Sequence, residues 1–406
     1  MVIRPMRILW ILPYLPWPTA SGGKTRQYHL LRTLAARGHR ITLLVQSKTE
    51  LDASARLALE PMLERLIVLP RRSLRHPLTL ACALFGLWPL LTCINGLNKR
   101  LSDTFKQLLN EHWDVVQVEH SYSFQPYANS LSSYPRGFVL TEHNLESSLG
   151  GATYSRFPPW AAPFVWFDQW RARRWERQVF EAARQVVAVT ESDAQAMTQL
   201  TQTPVSVVVN GVDTRAAAQV QPDIEAQRIL FVGNYEYPPN VDAVTWALDE
   251  ILPRLWLHYP QARFAVAGYA MPQEWAQRWT DPRIEWHGFV DNLATLQQQS
   301  SLFLAPLRHG GGSKLKVLEA LAAGLPLVST AQGASGLALE NGVQARLGET
   351  PEVLCQALSE LLSNPGQARE IGERGRQFVQ STHDWSAAAN QLEAVYQQIL
   401  ENPECA

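Results

Sequence analysis

Gly310, Gly311, Gly312, Ser313, Lys314, Lys316 and Glu319 fall in one short stretch, and their types and order suit the grip of a diphosphate. Three glycines leave no Cβ to hold a ligand off the backbone. From Ser313 to Ala323 the sequence is helical in pattern, so the helix start turns unsatisfied N–H groups and its positive dipole end toward the glycines, where an anion belongs. Lys314 and Lys316 put cations in the first turn, a place the dipole disfavours for lysine unless an anion compensates it. Glu319 lies one turn beyond Lys316 on the same face, placed to accept from the hydroxyls of a ribose carried by that diphosphate. Phosphate and then sugar is the order of parts in a nucleotide. The alternative is a solvated loop in which Lys316 and Glu319 form a surface ion pair worth roughly a few tenths of a kcal/mol.

The flanking elements would hold this stretch in place. Phe303 to Pro306 reads as a short buried strand, and Gly324-Leu325-Pro326 ends the helix and feeds a second apolar strand, Leu327 to Thr330. The chain opens with the same alternation. RILWIL (7–12) predicts a strand, a loop follows with Gly22 and Gly23, a helix runs from Tyr28 to Arg37, and a strand starts at Ile41. Asp114 to His120 and Gly137 to Asn144 are further strands with polar ends. Open α/β sheets bind ligands at strand carboxyl ends, which makes His120, His143 and Asn144 candidates, against the alternative of hydrogen-bonded structural residues. A second round begins at Arg228 to Asn234, with the loop GNYEYPPN, a helix over Val241 to Leu257, a strand ending at Gly268, and another strand and turn over Ile284 to Asn292. Two successive βα-rich rounds imply an α/β protein of two Rossmann-like, doubly wound domains facing a central cleft.

Composition is consistent with that plan. A chain of 406 residues is long enough for two cores. The formal charge of -1 hides an asymmetry, +8 for residues 1–212 against −9 for residues 213–406. The basic half lacks a nucleic-acid motif and mixes tryptophan and phenylalanine with its arginines, which favours an anionic membrane surface over nucleic acid. Cys82, Cys93, Cys355 and Cys405 show no metal-binding spacing, and the N-terminus lacks a signal-peptide pattern, so the expected location is cytoplasmic. Pro77 to Leu97 carries no charge, but its prolines, glycines and polar residues argue for helices packed on the sheet or dipping an apolar edge into lipid rather than a span. In 154–180, tryptophans alternate with Arg171, Arg173, Arg174 and Arg177 in a helical pattern that suits either a headgroup interface or a core.

The stretch 303–337 resembles the donor-site signature of family-4 retaining glycosyltransferases of the GT-B fold, especially a bacterial polysaccharide-assembly subgroup with GGG, a lysine and LEA in this order. NGVD at 210–213 resembles that family's entry to the interdomain connection, the SGG at 21–23 its N-terminal loop, and EHN at 142–144 its strand-end histidine. The resemblance implies an N-terminal acceptor-side domain over 1–212, a linker over 213–227, a nucleotide-sugar-binding domain over 228–380, and a helix over 381–406 crossing back. It further implies sugar transfer, with retention, from a nucleotide diphosphate sugar to a glycan or lipid-linked acceptor in surface polysaccharide synthesis. UDP- or GDP-linked sugar would be the co-substrate, with no cofactor or metal, and the enzyme would work in the cytoplasm or peripherally at the inner face of the cytoplasmic membrane.

By that resemblance His143, Lys316 and Glu319 are the catalytic candidates, Glu319 as the ribose ligand. Gly22, Gly23, Asn144, Asn234, Asn240, Arg308, His309, Gly310, Gly311, Gly312, Ser313, Lys314 and Gly333 would bind the donor, with Phe289 and Val290 beside the base. The chain departs from the family pattern twice. Gly311 stands where a first glutamate is usual, and Asn234 and Asn240 stand where an Arg and a Lys often grip the diphosphate, so Lys316, with Lys314 or Arg308, is expected to supply the missing charge. A non-catalytic sugar-nucleotide-binding or glycan-assembly subunit and a GT-B sugar-nucleotide epimerase are the alternatives.

Overall fold

Continuous apolar runs become central strands because both faces of a parallel sheet are covered. The computed structural model describes residues 4–19, 21–48, 50–72, 76–96, 98–148, 158–310 and 314–401. The chain divides into two units, one made of residues up to Val209 together with the chain from Ala388 onward, the other of Asn210–Ala387.

In the first unit, β1 (Arg7–Leu12), β2 (Arg40–Ser47), β3 (Arg65–Pro70), β4 (Val115–Glu119), β5 (Val139–Glu142), β6 (Gln185–Ala188) and β7 (Val205–Val207) form a parallel sheet in the order β3-β2-β1-β4-β5-β6-β7. Ile8 to Leu12 are wholly buried, as the unbroken apolar run requires. The C-terminal helix Trp385–Glu401 sends Tyr396 to this unit, where its hydroxyl donates to Gln117 Oε1 at 2.9 Å, and Glu393 accepts from Arg37 and pairs with His39 at 2.8 Å.

In the second unit, β8 (Arg228–Val232), β9 (Arg263–Ala267), β10 (Ile284–Gly288), β11 (Leu302–Ala305), β12 (Leu327–Ser329) and β13 (Ala345–Leu347) form a parallel sheet in the order β10-β9-β8-β11-β12-β13. Each sheet therefore runs outward in one direction from its first strand and in the other from its fourth. The strand order reverses between β1 and β4 and again between β8 and β11, and at such a point the loops at the strand ends part to leave a crevice. Two strands, β3 and β13, lie in stretches for which the sequence predicts no strand.

Pro77 to Leu97 is not one helix. It forms Pro77–Phe85 and Leu90–Gly96, broken where Gly86 takes an extended conformation and Pro89 follows. Among the described residues no helix is long and apolar enough to cross a membrane.

Candidate functional site

The crevice between β8 and β11 is built from three loops. Gly233 and Asn234 leave β8 and lead into the helix Pro238–Trp246, so Asn240 sits in the first turn of that helix and is buried. Its amide Nδ2 donates to Asn234 O at 2.7 Å, tying the helix start to the strand end. From the other side the helix Leu315–Ala322 brings Lys316, whose ammonium donates to Asn240 Oδ1 and stands 4.5 Å from the centre of the Phe231 ring. Lys316 is thus held in place by an amide and an aromatic face, and no carboxylate among the described residues pairs with it directly. Burial, reinforced by the neighbouring Lys314 charge, pushes its pKa down to about 7.

Glu319, one turn on, is half-buried, and its carboxylate makes no hydrogen bond or ion pair with another described residue. Burial raises it to about 7, against the pull of Lys316. A cation and an acid each held away from their ordinary values at a sheet's switch point make this a candidate ligand site. The helix begins without a capping side chain and without an acid in its first turn, which leaves its positive end for an anion.

The glycine turn is set by contacts on both sides. Gly310 has φ +116°, and a Cβ there would lie 2.9 Å from Tyr237 Oη and 3.1 Å from Pro239 Cγ, so only glycine fits. Lys314 is buried and donates to Gly310 O at 3.0 Å, and Gln332 donates to the same oxygen. Lys314 therefore braces the turn, and Lys316 is the lysine placed to meet a ligand. Gly311, Gly312 and Ser313 lie outside the described residues. Gly333 packs against β11 and β12, its amide donating to Thr330 Oγ1 at 2.9 Å, and a Cβ would fall 2.4 Å from Ala305 O.

Arg308 does not join Lys316. Its guanidinium is paired with Asp242 through two hydrogen bonds and lies 5.1 Å from the centre of the Trp246 ring, while His309 stands 3.6 Å from the same Asp242. At the ends of β9 and β10, Phe289 and Tyr269 are exposed and meet edge to face with ring centres 6.5 Å apart. This aromatic corner suits a base. Val290 packs partly buried beside it against the core. Tyr269 is absent from the sequence expectations, because an aromatic after a strand gives no signal until its partner is known.

The crevice between β1 and β4 belongs to the first unit and has a different character. Gly22 and Gly23 are not in a loop, since the helix starts with them, Gly22–Ala36, after an extended Ser21. A Cβ on Gly23 would lie 2.7 Å from Tyr14 Oη and 3.3 Å from His143 Nδ1. His143, just past β5, is buried, with Nε2 3.1 Å from Glu119 Oε2 and 3.0 Å from Gln27 Nε2. Asn144 follows it, half-buried.

His120, with ring centre 4.3 Å from that of His143, hydrogen-bonds Tyr14 Oη at 3.1 Å and has φ +65°, a conformation that costs a non-glycine residue about 1–3 kcal/mol. Burial, with Arg26 adding to it, drops His143 to about 3, and burial lowers His120 strongly as well, so both rings are neutral. Glu119, Gln27, Tyr14 and Arg26 escaped the sequence reading. A buried glutamate inside a strand looks like any exposed one until the fold closes over it.

Each unit thus carries polar side chains at its own switch point, an ionisable pair in one and a neutral polar wall in the other. Comparison with known proteins gives the class. Residues 226–364 match the family described as glycosyl transferases group 1, and residues 20–216 match glycosyltransferase family 4. The chain is a GT-B glycosyltransferase of the family-4 type.

Among its relatives is a glycogen synthase of Mycobacterium tuberculosis, 26% identical over 96% of this chain and 94% of that one. Among solved structures, a sucrose-phosphate synthase from Thermosynechococcus elongatus matches with a TM-score of 0.71 at 18% identity, covering 98% of this chain and 99% of the other. Anabaena Alr3699/HepE in complex with UDP and glucose matches at 0.66 and 15% identity, covering 97% of this chain and 100% of the other.

Proposed function

We propose that this glycosyltransferase moves a sugar from a nucleotide diphosphate sugar, UDP- or GDP-linked, to a glycan or lipid-linked acceptor, with retention at the anomeric carbon and without a metal. Its setting would be bacterial surface polysaccharide synthesis, in the cytoplasm at the inner face of the membrane. One observation carries this reading: Lys316, held by Asn240 over Phe231, stands at a switch point with Glu319 one turn away, whose carboxylate has no hydrogen bond or ion pair to another described residue. The UDP complex of the Anabaena fold-mate supports a uridine donor.

In the reaction the bond between the anomeric carbon and the diphosphate oxygen breaks, and negative charge grows on the leaving group. The Lys316 ammonium and the start of Leu315–Ala322 would stabilise that charge, which is where electrostatic catalysis is strongest. Glu319 would accept from the ribose hydroxyls, and the Tyr269–Phe289 corner would take the base. Asn234 and Asn240, neutral where cations are common, position Lys316 rather than grip phosphate. Neutral, rigidly held His143 would be the first unit's contribution, offering a hydrogen bond to the sugar.

A panel of UDP- and GDP-sugars with simple glycan and polyprenyl-phosphate-linked acceptors tests the reading by product analysis. Sugar transfer is expected. Isomerisation of the donor, or binding without turnover, would replace it with an epimerase or a binding subunit.

A further inference from the structure

In the first unit two neighbouring helices wear their chemistry inside out. On Pro77–Phe85 the buried positions are Thr79 and Ala83, while Leu84 and Phe85 face outward, Phe85 at 87% exposure. On Ala162–Ala182 the buried positions of the first half include Asp168 and Arg171, while Trp166 and Trp170 are exposed, Trp166 at 70%. A helix on a water-facing surface shows the reverse pattern.

The inversion is built, because the buried charges clamp the two segments together. Asp168 pairs with Arg171 and accepts from Leu90 N at 3.0 Å, and Arg171 donates to Ala83 O and Gly86 O at 2.9 Å each. These bonds satisfy carbonyls at the broken end of the first helix and hold its apolar face beside that of the second. Leu87 and Trp160 extend the same exposed apolar character. The patch is more than scattered surface hydrophobes.

The outward stripe of Ala162–Ala182 changes character along its length. After Trp166 and Trp170 come Arg173, Arg174 and Arg177, all exposed, with the Arg174 guanidinium 5.9 Å from the Trp170 ring centre. Aromatic and leucine side chains followed one turn later by arginines match the depth profile of a bilayer surface, acyl boundary and then phosphate headgroups. On these two helices the sole exposed acid is Glu181, in the last turn of Ala162–Ala182. A second copy of this face would set one exposed acid, Glu181, against three arginines, whereas an anionic lipid surface meets them all.

We propose that the face formed by Pro77–Phe85 and the exposed stripe of Ala162–Ala182 from Trp166 to Arg177 is a monotopic docking surface for an anionic bilayer, with Phe85, Leu87, Trp166 and Trp170 entering the acyl boundary and Arg173, Arg174 and Arg177 meeting lipid phosphates. This deepens the membrane setting of the functional reading by naming the surface that makes the contact.

The test is co-sedimentation of the full chain with vesicles of phosphatidylcholine alone and with about 30% phosphatidylglycerol, at about 0.15 M salt. The wild type is expected to bind the anionic vesicles. A Trp166→Ser/Trp170→Ser variant should lose roughly tenfold or more in partitioning to them. An Arg173→Gln/Arg174→Gln/Arg177→Gln variant should lose roughly a hundredfold, from about fivefold per basic side chain, together with the preference for anionic lipid.

UDP binding measured on the same samples separates the two readings. Vesicle binding without UDP binding would sink the donor assignment and keep this surface, and the converse would sink the surface alone. Absence of wild-type vesicle binding, unchanged binding by both variants, or a solution dimer that Trp166→Ser/Trp170→Ser dissolves would each overturn the proposal. A melting curve matching wild type confirms that the variants are folded.

Discussion

The crevices at β1/β4 and at β8/β11 share one topology and have opposite electrostatic characters. At β1/β4 the polar groups lean on one another: His143 on Glu119 and Gln27, His120 on Tyr14, with both imidazoles kept neutral by burial. At β8/β11 burial pushes Lys316 down and Glu319 up, each to about 7, with an amide and a ring as the lysine's close neighbours among the described residues. Strand order decides where a ligand can sit, and the side chains at the strand ends decide what it can be. A preorganised neutral wall suits orientation of a sugar, and an ionisable grip suits an anion whose charge changes in the reaction.

The comparison is sharpened first by removing one residue from each side. His143→Ala should lower turnover by roughly a hundredfold or more with UDP affinity kept within about twofold, since the diphosphate is assigned to the other unit. Loss of UDP binding would show that the division of labour is wrong. Lys316→Ala should weaken UDP binding by roughly a hundredfold, as for a charge-assisted contact, and leave uridine binding almost unchanged. Titration calorimetry with both ligands decides, and equal losses reject the phosphate assignment.

A smaller effect comes from pH. With its pKa near 7, Lys316 is mostly neutral at about pH 8.5 and must take up a proton to meet a diphosphate. UDP affinity should therefore fall roughly tenfold between about pH 7 and pH 8.5, and Lys316→Arg should flatten that fall. A flat wild-type profile would contradict the buried-lysine picture.

The smallest effect concerns stability. Burial, with Ser147 N donating in opposition, raises Glu176 to about 7. The fold favours its protonated form, so its contribution is full below the ordinary carboxylate range and is lost as pH rises to about 7. Glu176→Gln should raise Tm by a few degrees at about pH 8 and give no gain at about pH 4.5.

The strands β1, β2, β4, β5, β8 and β11 were legible because buried parallel strands are unbroken apolar runs, and the repeat of strand, loop and helix carried the two-sheet architecture. What escaped was what depends on distant chain. The spacing of Trp166, Trp170 and Phe180 is the same whether a stripe faces core or solvent, and the structure buries Phe180 while exposing both tryptophans. Arg171 reads as one more basic residue in its run but is buried with Asp168.

The expected charge relocation onto Lys316 involves residues far apart in sequence. Asn240 supplies the direct contact, and Arg308, equally eligible by spacing, is held by Asp242. Glu119 and Gln27 gave no signal because their hydrogen bonds to His143 appear only when the sheet brings their strand and helix together.

A crystal of the protein soaked with UDP tests the central claim most directly. The account predicts the diphosphate within hydrogen-bond reach of Lys316 Nζ, beside the turn at Gly310, and the ribose hydroxyls on the Glu319 carboxylate. A diphosphate lodged away from β8/β11, with Glu319 facing bulk solvent, would contradict it.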